Sequence, residues 1–242
     1  MSMSQSFPKL TKAPITEAMF EIAALVEPDK LVSGSQAFHS AIRAEFPESR
    51  EMRAAEFTMD QESQEASERS ISHGTVYWSQ ARDKAVQARP NGFSLSHVGN
   101  YSNWESIRED AQRNWQIYWE KFLPNLPTRC SVRFINRLEI PAASDWADSL
   151  NTRPEWPDSL QVISNGLFLR LNCQFEEANA TILQASAAQE GDIIPVFLDI
   201  NVASIDPIVD VAGMWRTFET LRRVKNQCFY SSIKEVLWRK YL

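Results

Sequence analysis

The chain has 242 residues, of which 43% are hydrophobic, 23% charged and only 7 glycine, which excludes a disordered tail, a collagen-like fibre and a disulfide-stapled miniprotein. Lys and Arg total 25 against 31 Asp and Glu, a net charge of −6, split as −4 over residues 1–121 and −2 over 122–242. With no basic half, nonspecific nucleic-acid binding is disfavoured, because neutralising phosphates needs clustered cations.

Pro14 opens the first element. Ile15, Glu17, Met19 and Glu21 then alternate with apolar neighbours, predicting a strand, with a helix over Glu17 to Val26 as the alternative. Phe38, Ala41, Ile42 and Phe46 recur at helical spacing over 35–46 until Pro47. The polar run 60–71 reads as an exposed loop or hairpin tip. Short strands follow at 75–80, 84–88 and 93–97, with Asn91-Gly92 as a hairpin turn. Ser102 and Glu105 fit a capping box. Behind it Trp104, Ile107, Ala111, Trp115, Tyr118, Trp119 and Phe122 form one apolar helical stripe, ended by Pro124.

The second half runs the same way. Strands are predicted at 129–140, 167–175, 180–186 and 194–202, with a Pro- and Trp-rich connector at 141–158. A long amphipathic helix is predicted from about Ile208 to Lys240, with Trp215, Phe218, Leu221, Val224, Cys228 and Val236 near its buried stripe. Trp104-x-Ser106-Ile107 and Trp215-x-Thr217-Phe218 open the two long helices alike, which raises an internal duplication of halves at about 10–124 and 128–242. The order of elements predicts an α+β fold in one compact domain, 1–242: antiparallel sheets packed by two long amphipathic helices.

No phosphate-binding glycine loop, nucleophile elbow, HExxH or EF-hand pattern is present, so no catalytic residue and no cofactor is assigned. His39, His73 and His97 are isolated in sequence and read as structural or surface residues. Cys130, Cys173 and Cys228 lack the spacing of a zinc or CxxC site, which gives no metal and suits a reducing cytoplasm. The start lacks a secretory pattern and no apolar run reaches the roughly 18 residues of a membrane span. A cytoplasmic protein without a membrane partner is expected.

The polar positions with most chemistry lie on strands. Arg133, Arg137 and Glu139 share one strand face, Arg170, Asn172 and Gln174 a second, and Asp199 and Asn201 a third. Aligned, they would bind an anion or a protein; the plainer reading is a solvated sheet face. Asn136 sits among apolar neighbours and reads as a structural hydrogen-bonding residue. Trp146 and Trp156, in the connector, are candidate exposed aromatic contacts. Arg216, Arg222, Arg223 and Lys225 read as a solvated basic helix face interrupted by Glu219.

The segments LTKAPITEAMFEI, FSLSHVGNYSNWESI, VRFINRLEIP and LRRVKNQCFYSSI, in that order, resemble a sporadically distributed, uncharacterised family of bacterial and archaeal proteins of about this length. The matching positions are Ala13, Pro14, Glu17, Tyr101, Trp104, Arg133, Asn136 and Arg137. The resemblance implies fold-defining roles for most of them and no reaction. Its patchy occurrence associates it with toxin–antitoxin and phage-defence loci. The leading expectation is therefore a non-enzymatic binding protein with a protein partner, such as a neighbouring-gene product that it neutralises or assists. A small-ligand or nucleotide sensor is the alternative, followed by an unfamiliar enzyme using Arg133, Glu139 or Asp199.

Overall fold

The computed structural model describes residues 7–59, 66–99, 101–155, 159 and 166–242. Among them are nine strands, with antiparallel pairing throughout the ladders, and five α-helices, giving an α+β fold. The chain divides into two compact units. One is nearly contiguous, Met19–Thr128 with Ile208–Val211. The other is assembled from Met1–Ala18, Arg129–Pro207 and Ala212–Leu242. Strand β1 (Ile15–Ala23) contributes residues to both.

In the contiguous unit α1 (Pro28–Ile42), β2 (Glu48–Met59), β3 (Ala66–Trp78), β4 (Lys84–Arg89), β5 (Gly92–Val98) and α2 (Trp104–Phe122) follow β1. The strand order is β2-β3-β4-β5-β1. The β4–β5 hairpin closes at Arg89↔Gly92, so Pro90 and Asn91 form its loop. Gly92 has φ 151°, and a Cβ there would lie 2.3 Å from the Ile22 carbonyl oxygen, which leaves glycine the compatible residue. The cap of α2 falls one residue later than the capping box predicts. Asn103 Oδ1 accepts the Ser106 N–H at 2.8 Å. Leu123 ends the helix at φ 46°.

Periodicity places the apolar stripe of α2 correctly except at Trp119, which is half-buried while Trp115 is enclosed. Trp115 stacks on Tyr118 and meets Phe93 edge-on, and Phe38 packs against Tyr77, Tyr118 and Phe122. Helices α1 and α2 approach closely at Gly34, where a Cβ would come 2.7 Å from Phe122 Cδ1. Three expectations for this stretch are corrected. The first helix begins at Pro28 rather than 35, since proline suits a first helical turn. Residues 48–59, given no element from sequence, form β2. Of the 60–71 stretch, 66–71 belong to β3 and 60–65 lie outside the described residues.

The discontinuous unit holds β6 (Arg129–Pro141), α3 (Trp146–Ser149), β7 (Phe168–Gln174), β8 (Ala178–Ser186), β9 (Ile193–Ser204), α4 (Val211–Ser232) and α5 (Glu235–Trp238). Its strand order is β1-β6-β9-β8-β7. One sheet face is the core: Val132, Phe134 and Leu138 on β6, Val196, Leu198, Ile200 and Val202 on β9, and Ala180 and Ile182 on β8 are buried. Helix α4 turns Met214, Phe218, Leu221, Val224, Cys228 and Phe229 inward. The single helix predicted to Lys240 stops at Ser232, where Ile233 bridges Leu150 and α5 then begins. Trp215 is half-buried and Val236 is 61% exposed, so neither belongs to the core stripe.

Candidate functional site

The polar strand residues singled out from sequence come together in the discontinuous unit. Registers pair Arg133 with Asn201, Asn201 with Thr181, and Thr181 with Asn172. The next rows are Ile135–Asp199–Leu183–Arg170 and Arg137–Phe197–Ala185–Phe168. Because cross-strand partners point to the same side of a sheet, Arg133, Arg137, Glu139, Arg170, Asn172, Asp199 and Asn201 occupy one face, opposite the core. Strand β8 lies between β9 and β7, so the three predicted polar strands are not all direct neighbours.

Arg133 donates from Nε and Nη2 to the Asp199 carboxylate at 2.9 and 2.6 Å, a forked diagonal pair between β6 and β9. Arg137 donates to Glu139 at 2.7 Å and to Glu190 at 2.6 Å. Thr181 donates to Asn172 Oδ1 at 3.2 Å. Arg170 is exposed and has no ion pair among the described residues. Beside it Phe168 is 76% and Phe197 36% exposed. This face therefore combines neutralised charge, one unneutralised guanidinium and two aromatic rings.

The remaining predicted positions lie elsewhere. Trp146 starts α3 and is half-buried, whereas Trp156 lies outside the described residues. Asn136 is buried and donates to the carbonyl of its cross-strand partner Leu198 at 3.0 Å, the structural role expected of it. Pro14 accepts the Arg137 N–H at 2.8 Å, Trp104 packs on Phe20, and Glu17 is half-buried.

Two clusters escape a reading of the sequence. In the contiguous unit, Asp110 on α2 is buried and receives His97 Nε2 at 2.9 Å and Lys84 Nζ at 2.7 Å on one oxygen, and Arg113 at 2.7 Å on the other. Glu45 binds Arg113 at 2.9 Å and approaches Lys84 at 3.5 Å. Burial pushes the Asp110 carboxyl up, but the bonds from His97, Lys84 and Arg113 outweigh it and hold the group well below the usual carboxylate range. A carboxylate so fully engaged clamps α2 to β4 and β5. His97 is thus a buried partner of a carboxylate, within the structural role expected for it.

In the discontinuous unit, Lys225 corrects the expectation of a solvated basic face. At about 100° per residue it falls within about 20° of the line through Met214 and Ser232, the middle of the inward stripe of α4. Its Nζ lies 4.2 Å from the Phe134 ring centroid. Burial, aided by the Arg222 charge, pushes this amine down to about 7, although the residue keeps part of its surface. Among the described residues no carboxylate lies within ion-pair distance of it. Burial pushes the Cys228 thiol up to about 11 and Cys130 up to about 12, which makes both poor nucleophiles. No group of His, Cys, Asp and Glu among the described residues could hold a metal ion. No helix among them is long and apolar enough to cross a membrane. No protein-family model matches the chain, and no curated protein matches it.

Proposed function

We propose that this chain is a non-enzymatic, cytoplasmic binding protein whose contact surface is the exposed sheet face of β6, β9, β8 and β7. One observation carries the reading: exposed Phe168 and Phe197 share that face with Arg170, which lacks an acidic partner among the described residues. Solvent-facing sheet residues are ordinarily polar, so two exposed aromatic rings beside an unneutralised guanidinium suit a partner presenting apolar side chains and a carboxylate. The forked Arg133–Asp199 pair keeps the rest of the face locally neutral and rigid.

The resemblance set out above supports a narrower version, in which the partner is a neighbouring-gene product of a toxin–antitoxin or phage-defence locus that this protein neutralises or assists. The recurrence of strands followed by a long helix in both units supports an ancestral duplication, with α2 and α4 as the equivalent packing helices. Co-expression with each neighbouring gene, followed by co-purification of wild type and the Phe168→Ser/Arg170→Glu variant, tests the proposal. The expected result is a partner retained by the wild type and bound at least tenfold more weakly by the variant, with a shallower salt dependence. Equal retention by a folded variant refutes the face, and no partner from any neighbour refutes the narrower version.

A further inference from the structure

A lysine at the centre of a buried helical stripe is costly, since burying a charge without a partner is among the least favourable substitutions a core can carry. Lys225 is held there by Leu221 and Cys228 on its own helix and by Phe134 beneath it. A second polar anomaly lies on the same side of the same sheet. Gln184 on β8 is fully buried, and neither its amide oxygen nor its nitrogen has a partner among the described residues. Its register row, Gln184–Leu198–Asn136, is adjacent to the row of Phe134 and Ile200. Unsatisfied buried amides are rare in native cores and mark positions where a bound group supplies the missing partner.

We propose that Lys225 is a nucleophilic amine that captures a small carbonyl compound as an imine, in a polar interior completed by the orphan amide of Gln184. This site lies on the face opposite the proposed partner surface and does not depend on it. The Lys225 nitrogen attacks the carbonyl carbon and forms the C–N bond. Both nitrogen-bound hydrogens of the neutral amine leave with the carbonyl oxygen as water, so no oxidant or reductant is needed. Enclosure favours the neutral amine. The groups that set its charge are Arg222 and Cys228 on α4, with Cys173 on β7 acting on Cys228. An amine titrating near 7 is about half neutral at pH 7, against about one part in 10³ for an ordinary lysine, so its advantage in reactive form reaches up to about 10³-fold.

The test uses the native, full-length protein at pH 7 with cyanoborohydride and either glyoxylate or acetaldehyde, followed by peptide mass mapping. Lys225 is expected to be alkylated at least about tenfold faster than exposed Lys9, Lys12 and Lys240, with the preference lost in urea. A faster reaction with glyoxylate assigns an oxo acid, and a faster reaction with acetaldehyde assigns a neutral aldehyde; both support the site. Labelling of Lys225 no faster than the exposed lysines, or a preference that survives in urea, overturns it. Lys225→Met removes that adduct alone, and the wild-type map decides the question if this variant does not fold.

Discussion

Replacing Asp110 by Asn removes a charge while nearly keeping its shape, and the consequence can be worked from its neighbours. Asp110 and His97 expose 9% and 4% of their side chains, so both lose a partner that water cannot replace. Lys84, at 29%, retains only Glu45 at 3.5 Å, while Arg113 is half exposed and keeps Glu45 at 2.9 Å. Breaking a fully buried pair costs about 3–5 kcal/mol; with Arg113 solvated and the Asn oxygen still able to accept, about 2–3 kcal/mol is expected at pH 7. The sign with pH follows from the depressed carboxyl. Its contribution is complete above the unfolded value of about 4 and is lost as pH falls through the folded value. The gap between wild type and Asp110→Asn should therefore be flat from pH 7 to about 4 and shrink below that. Urea unfolding, with hydrogen exchange followed in peptides from β5 and α2, reads both quantities. A loss under about 1 kcal/mol, or a gap that widens on acidification from pH 5 to 3, refutes the clamp.

Trp115→Ala empties the space between Tyr118 and Phe93 and should cost about 3–5 kcal/mol in chemical unfolding; a loss under 1 kcal/mol would mean that the ring does not hold α2 to the sheet. Asn103→Ala leaves the Ser106 N–H without its cap and should cost about 1 kcal/mol, with exchange rising first in the opening turn of α2. Lys225→Met should stabilise the protein by about 2 kcal/mol at pH 7. Because this folded amine titrates below its unfolded value, wild-type stability rises between about pH 7 and 10, and the benefit of methionine should fade over that range.

What could be read from sequence and what could not divides along physical lines. Helix α2 was legible because its large side chains repeat every three or four residues between a capping asparagine and Pro124. Strands β6, β7 and β9 were legible because one face is core and the other meets water, which writes a period of two into the chain. That same alternation grouped Arg133, Arg170 and Asp199 on one face before the strand order was known. Strand β2 was not legible, since ESREMRAAEFTM carries no regular alternation. The Asp110 cluster was hidden for another reason: Lys84, His97 and Asp110 sit on two strands and a helix, and no spacing rule links them. Lys225 could have been found. Plotting α4 at helical spacing sets it between Leu221 and Cys228, but a neighbouring run of arginines made it look like one more solvated cation.

The split composition of the discontinuous unit has a consequence for how this chain matures. Residues 19–128 intervene between its first segment and its second. Thr16 bonds the Ile135 carbonyl across 119 residues, and Tyr230 reaches Pro8 across 222 while stacking on Phe7. During synthesis the contiguous unit can condense while the ribosome is still translating β6, because its contacts lie within one stretch of chain. The other unit has to wait for α4 to emerge, with its opening strand residues unsatisfied in the interval. Early loss of the final helix would thus spare one unit and leave the other as an exposed, adhesive strand edge, the kind of intermediate that chaperones hold. Vectorial synthesis makes the last twenty-odd residues of α4 the step that commits the first strand to its place.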